Sequence, residues 1–137
     1  MSAIIEMSTL PKTWIFDLDG TIIKHNGYKI DGYDSLLDGA KEYLQSLPLE
    51  DKIIFVTSRM NKYRDSTIKF LNSNDIRYDE ILFEMPMGER ILVNDDKPSG
   101  LKTAYAFSIA RDTFKLPNII RNKWIISLLW ILRSLSR

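Results

Sequence analysis

Two aspartates stand two residues apart where an apolar run ends, in Trp14-Ile15-Phe16-Asp17-Leu18-Asp19-Gly20-Thr21. In an extended chain, residues i and i+2 point to the same side, so the Asp17 and Asp19 carboxylates share one side. Like charges placed together where burial begins repel each other unless something offsets them. Two further polar clusters end apolar runs: Thr57-Ser58-Arg59 after Lys52 to Val56, and Asn94-Asp95-Asp96 after Arg90 to Val93. If the three runs are neighbouring parallel strands, four aspartates converge at the carboxyl edge of a sheet, where such sheets bind ligands. A hard divalent cation such as Mg²⁺ would relieve the crowding. It takes oxygen ligands, often one or two carboxylates plus phosphate and water. Asp17 and Asp95 are the side-chain candidates, with Asp96 acting through water.

That arrangement points to phosphate chemistry. Beside a metal-bound phosphate, the Asp17 carboxylate can attack phosphorus and form an acyl phosphate. Asp19 can protonate the leaving alcohol and then deprotonate the attacking water. Thr57, with nearby backbone N–H groups, would hold phosphoryl oxygens, and Ser58 belongs to the same substrate-facing cluster. Gly20 lets the chain turn sharply after the strand. Each cluster also has a plainer reading. A lone aspartate at a strand end is usually a turn or cap residue, and hydroxyls often end strands. The specific signal is Asp17-Leu18-Asp19-Gly20-Thr21 after an apolar run. Arg59 and Arg64 could take a second anionic group, although a surface arginine is the simpler reading of each.

The elements that must position these residues follow from periodicity. Thr13 to Leu18 reads as a strand buried on both faces. Asp34 could cap a helix in which Leu36, Leu37, Ala40, Tyr43, Leu44 and Leu47 recur at helical spacing, and Pro48 stops it. Lys52 to Arg59 is a second strand. Asn61 caps a second helix carrying Tyr63, Thr67, Phe70 and Leu71 on one face. Asp79 to Phe83 is a short strand and Arg90 to Asp96 a third clear one. Thr103 to Ala110 alternates with a period of two and reads as a strand. Strand, helix, strand, helix, strand is the order of a parallel sheet with helices on its faces.

Composition narrows the function classes. A chain of 137 residues suits one hydrophobic core. Basic and acidic side chains nearly cancel, 19 against 18, so no overall basic field argues for nucleic acid. The absence of cysteine excludes disulfides, thiolate zinc sites and a cysteine nucleophile. His25 is the only histidine, which argues against a histidine-based metal cluster. Met1 to Leu10 lacks a basic-then-apolar leader, and the expectation is a cytoplasmic protein.

The segments DLDGT after a strand, FVTSR, and ILVNDDKP resemble the first, second and fourth motifs of the haloacid dehalogenase-like (HAD) phosphohydrolase superfamily. The resemblance spans Thr13 to about Asp112. It implies a Rossmann-like three-layer α/β fold with a mainly parallel central sheet, and Mg²⁺-dependent phosphoryl transfer through an aspartyl-phosphate. By position it makes Asp17 the nucleophile, Asp19 the general acid/base, Thr57 the phosphate-binding hydroxyl and Asp95 the acidic metal anchor. The Asp19 backbone carbonyl would be a further metal ligand. The superfamily's third motif supplies a lysine, whereas Met85 and Met87 stand in the matching stretch. Lys97 or Lys102 could supply that charge instead, with Lys69 and Arg90 as weaker candidates.

Superfamily members often insert a cap domain after the first or second motif. Thr21 to Lys52 and Met60 to Gly88 are each too short for one, since independent domains below ~40 residues usually need staples. A capless catalytic domain over residues 1–116 is therefore expected, with an open site that suits a large substrate or closure by a neighbouring subunit. Lys24 to Asp34 fills the place of a mobile flap, where His25, Tyr28 and Lys29 could touch substrate; an exposed polar loop is the simpler reading. Residues 117–137 form an apolar and basic tail, expected to be helical. Ile125 to Leu132 is shorter than the about 20 apolar residues a membrane-spanning helix needs. Packing on the core or on another subunit ranks ahead of a membrane-surface anchor. The expected function is a Mg²⁺-dependent phosphatase acting on a phosphorylated small molecule, with a phosphosugar suggested by analogy. The competing classes are a nucleotide or nucleic-acid end phosphatase and a non-catalytic Mg²⁺-binding domain.

Overall fold

A computed structural model describes residues 3–125 and 135. In chain order its elements are β1 (Ile4–Met7), β2 (Thr13–Asp17), α1 (Gly27–Ile30), α2 (Ala40–Ser46), β3 (Lys52–Val56), a 3₁₀ turn (Asn61–Tyr63), α3 (Arg64–Ser73), β4 (Glu80–Leu82) and β5 (Asn118–Arg121). The chain divides into two compact units. One comprises Pro11–Gly88 and Ile109–Lys115, the other Met1–Leu10, Glu89–Ser108 and Leu116–Arg137.

The first unit is built on a three-stranded sheet in the order β2-β3-β4, with both pairings parallel. Register aligns Phe16, Phe55 and Ile81 across the sheet. In-register neighbours share a face, and this row is buried, at 6%, 0% and 4% exposure. Trp14 stacks on Phe16 at 5.7 Å between ring centroids and meets Tyr43 of α2 edge-on at 5.8 Å. That contact places α2 over the Trp14–Phe16 side of β2. Ala40 and Leu44 in α2, and Thr67 and Leu71 in α3, are buried pairs at i, i+4 spacing, the stripe an amphipathic helix turns to its core. Full burial of Leu44 or Leu71 contributes about 1.5–3 kcal/mol. The segments joining β2 to β3 and β3 to β4 hold only α1, α2, the 3₁₀ turn and α3. The fold is mixed α/β with every strand pairing parallel, compatible with a Rossmann-like three-layer arrangement.

Several local expectations change. Ile15 is 52% exposed, so β2 is not buried on both faces; it is an edge of its sheet and uses the Trp14–Phe16 face. The helix expected from Asp34 starts at Ala40, after Gly39 in the left-handed region at φ 83°. Residues 35–37 pair with the Ile22–Lys24 stretch instead: Lys24 N–H donates to the Ser35 carbonyl at 2.9 Å and Leu37 N–H to the Ile22 carbonyl at 2.9 Å. Asn61 opens the 3₁₀ turn ahead of α3 and does not cap the α-helix itself. The loop after α2 is closed by Arg77, whose guanidinium donates to the carbonyls of Leu47, Pro48, Leu49 and Asp51.

In the second unit, β1 and β5 pair in parallel, with Ile5 opposite Ile119. β5 lies in the stretch expected to be helical; its backbone is satisfied by β1, a strand too short to stand out by periodicity. Past Ile125, the apolar run of the tail lies outside the described residues. Arg90–Asp96 and Thr103–Ala110, both expected as strands, belong to no strand. Ile91, Leu92 and Val93 are 85%, 56% and 88% exposed. An apolar run states a preference for burial; a strand also requires a neighbouring edge, which the run does not specify. Among the described residues no helix is long and apolar enough to cross a membrane.

Candidate active site

The site begins where β2 ends. Asp17 is the last residue of β2, opposite Val56, the last of β3. Leu18 is fully buried, and its carbonyl accepts the N–H groups of Thr21, Ile22 and Ile23 at 3.1, 2.9 and 3.0 Å. Ile22 and Ile23 are themselves fully buried, so the turn is anchored by packing as well as by hydrogen bonds. Gly20 supplies the left-handed conformation the turn needs, at φ 85°. Its N–H donates to the Ile23 carbonyl at 2.6 Å, and its carbonyl accepts the Asp112 N–H at 2.8 Å. The Asp112 carboxylate in turn accepts the His25 N–H at 2.7 Å. Residues on both sides of the Asp19-Gly20 turn are thus tied down, and the Lys24–Asp34 stretch is held by defined hydrogen bonds. Thr21 Oγ1 lies 3.5 Å from Asp17 Oδ2.

Thr57 follows Val56 and is fully buried. Its N–H donates to the Leu82 carbonyl at 2.9 Å, and its own carbonyl accepts the Met85 N–H at 3.0 Å. The Thr57 hydroxyl oxygen accepts the Arg59 N–H at 3.1 Å and stands 3.5 Å from Asp19 Oδ2. Ser58 lies between, half-buried. Asp17, Asp19, Gly20, Thr57, Ser58 and Arg59 therefore all occur at the carboxyl ends of two adjacent parallel strands.

Arg59 departs most from expectation. It is not a surface arginine: its side chain is 2% exposed. Nε and Nη2 form a fork on Asp19, with Nε–Oδ2 and Nη2–Oδ1 both 2.9 Å. Nη1 and Nη2 form a second fork on Asp34, at 2.9 and 2.7 Å. Nη1 also donates to Thr67 Oγ1 at 2.9 Å. The Tyr28 ring lies 4.4 Å from the guanidinium carbon, and Tyr63 meets Tyr28 edge-on at 4.8 Å. Burial works to lower the Arg59 pKa, but the hydrogen bonds and charges of Asp34 and Asp19 outweigh it and hold the pKa above the ordinary arginine value. Arg64 is exposed, its guanidinium 4.6 Å from the Phe83 ring centroid.

Asp95 and Lys97 belong to the other unit. They pair with each other at 3.1 Å, with side chains 66% and 48% exposed. Asp95 is further placed by Thr103 Oγ1, which donates to its carbonyl at 2.5 Å.

Were Mg²⁺ bound at this edge, the Asp17 carboxylate and the Asp19 main-chain carbonyl would be the hard oxygens to hold it. Among the described residues no three acidic or histidine side chains gather to hold a metal. One carboxylate and one carbonyl, completed by phosphate and water, is still within what Mg²⁺ accepts.

Sequence reasoning missed Asp34, Thr67 and Tyr28 as partners of Arg59, and Asp112 as the latch on Gly20. Asp34 carried a signal, but it read as a helix cap; nothing local distinguishes a cap from an ion-pair partner far along the chain.

No family model matches the chain, and no curated protein matches it. Among solved structures, a chain in the structure of a Pnkp1/Rnl/Hen1 complex is similar, at 31% sequence identity and a TM-score of 0.48. The similarity covers 61% of this chain and 31% of that one. This chain therefore matches less than a third of that chain's length.

Proposed function

We propose that the chain is a Mg²⁺-dependent phosphatase that hydrolyses a phosphate monoester through an aspartyl-phosphate, with phosphosugars as the first substrates to try. One observation carries the reading. Asp17 ends β2 directly opposite Val56, so Asp17, Asp19 and Thr57 come together at the edge where parallel sheets bind ligands. An Asp17 oxygen bonds to phosphorus as the ester P–O bond breaks, and Asp19, which must enter this step protonated, gives that proton to the departing alkoxide. Asp19 then takes a proton from water. The water oxygen bonds to phosphorus, the Asp17–phosphorus bond breaks, and phosphate leaves. Thr57 and the backbone beside it hold phosphoryl oxygens. Mg²⁺, when bound, supplies neutralisation of the phosphate's charge. Asp95 as metal anchor and Lys97 as the added positive charge enter from the sequence motifs alone.

The test is hydrolysis of an aryl phosphate with Mg²⁺ or with chelator, by the unmodified chain and by Asp17→Asn. Turnover that needs Mg²⁺ and disappears in Asp17→Asn is expected. Activity surviving Asp17→Asn rules out the covalent route. No turnover across phosphosugars, nucleotides and phosphorylated nucleic-acid ends favours the non-catalytic domain. Selective turnover of the nucleotides or nucleic-acid ends replaces the phosphosugar assignment.

A further inference from the structure

We infer that Arg59 is a positioning residue that fixes the plane of the Asp19 carboxylate, and that Asp34, Thr67 and Tyr28 exist at this site to hold Arg59. The inference rests on the phosphatase reading above and deepens it. A guanidinium has five N–H donors in a rigid fork, and here all five are in use. Nε donates to Asp19, Nη1 to Asp34 and Thr67, and Nη2 to Asp19 and Asp34. The Tyr28 ring lies against the guanidinium. Nothing remains to grip a phosphate, so the substrate-binding role expected of Arg59 does not fit.

Packing alone does not account for an arginine at this position either. A buried ion cluster is rarely more stable than well-packed apolar residues of similar volume. A planar fork does something an apolar residue or a lysine cannot: it sets the rotation of a carboxylate. Asp19 is the group that must reach first a leaving oxygen and then a water. Its side chain is 18% exposed, whereas those of Arg59 and Asp34 are 2% and 8% exposed. The open end of the chain of contacts is therefore Asp19, and the closed end is Asp34. Tyr28, in α1, and Asp34 both come from the segment between β2 and α2, so that segment is built into the site as its back wall.

Asp34→Asn tests this without removing Arg59. The amide presents an N–H to the guanidinium, so one fork opens and Asp19 loses its fixed plane. The measurement is kcat and KM on two esters. An aryl phosphate releases a phenolate that leaves unaided; an alkyl phosphate releases an alkoxide that needs the Asp19 proton. In Asp34→Asn, and in Arg59→Lys, kcat/KM, which reports the steps up to departure of the alcohol, is expected to fall at least ~10-fold further on the alkyl ester than on the aryl ester, because misplacing a general acid forfeits part of its contribution. Equal losses in kcat/KM on the two esters overturn the inference and mark a direct phosphate contact. Full rescue by Arg59→Lys overturns it too, since charge alone would then suffice. Heteronuclear NMR of the Arg59 Nε–H reads the clamp without turnover. Slow exchange in the unmodified chain, faster in Asp34→Asn, supports it; fast exchange in the unmodified chain refutes it. An unmodified chain that hydrolyses neither ester refutes the phosphatase reading, and the NMR result still decides the clamp.

Discussion

Replacing Thr57 with valine keeps the branched shape and removes one hydroxyl, which isolates what that oxygen does for the fold. Thr57 is fully buried and Arg59 is 5% exposed. The hydroxyl accepts the Arg59 N–H at 3.1 Å. In the valine variant that N–H is stranded, and a buried donor without a partner costs about 1–3 kcal/mol. The approach to Asp19 Oδ2, at 3.5 Å, is beyond good hydrogen-bond distance and adds little. The expected loss is ~2 kcal/mol, a sizeable share of the ~5–15 kcal/mol that stabilises a typical domain. With a slope of about 2 kcal/mol per molar urea, the midpoint falls by ~1 M at unchanged slope. Thr57→Ser is the control: it keeps the oxygen and deletes a methyl group, at about 0.8 kcal/mol. The assay is equilibrium urea unfolding followed by far-UV circular dichroism. A valine variant as stable as the serine variant, or more so, refutes the reasoning, because the Arg59 N–H would then not depend on the hydroxyl.

Two further substitutions probe how the strands and the turn are held. Asp51 is 1% exposed and accepts the Lys12 N–H at 3.0 Å and the Trp14 indole N–H at 2.9 Å. Asp51→Ala should cost ~2–4 kcal/mol and Asp51→Asn about half as much, since the remaining carbonyl keeps one donor; a thermal midpoint equal to that of the unmodified chain for Asp51→Ala contradicts this. Gly20→Ala forces a left-handed L-residue, at about 1–2 kcal/mol, and its Cβ would sit 3.1 Å from Arg111 Cγ. Because the Arg111 side chain can swing away, most of that loss should persist in Gly20→Ala combined with Arg111→Ala, measured against Arg111→Ala alone by the same urea unfolding. Full recovery there means that crowding, not backbone strain, was the cause.

The legible parts of this protein were those in which one short stretch carries the whole signal. Thr13–Asp17, Lys52–Val56 and Glu80–Leu82 lie within strands expected from their apolar runs. The Asp17-to-Thr21 turn was readable because glycine at a strand end and closely spaced aspartates have local physical consequences. Of the helix expected from Asp34, only the later half forms, as α2. Leu36 and Leu37 fit helical spacing as well as Ala40 and Leu44 do, and only the pairing of residues 35–37 with residues 22–24 decided between them. Arg90–Asp96 shows the converse, since its composition suits a strand and no strand forms there.

By itself the sequence determined which residues can do chemistry and where the chain turns, because side-chain type, apolar period and glycine's freedom act within a few residues. Tertiary structure alone decided what Arg59 is for. Its partners Asp19 and Asp34 lie 40 and 25 positions away, and no local pattern records a contact that exists only once the strands have paired. The same holds for Arg90–Asp96, where an apolar run declares its own preference and the rest of the fold determines whether an edge is there to meet it.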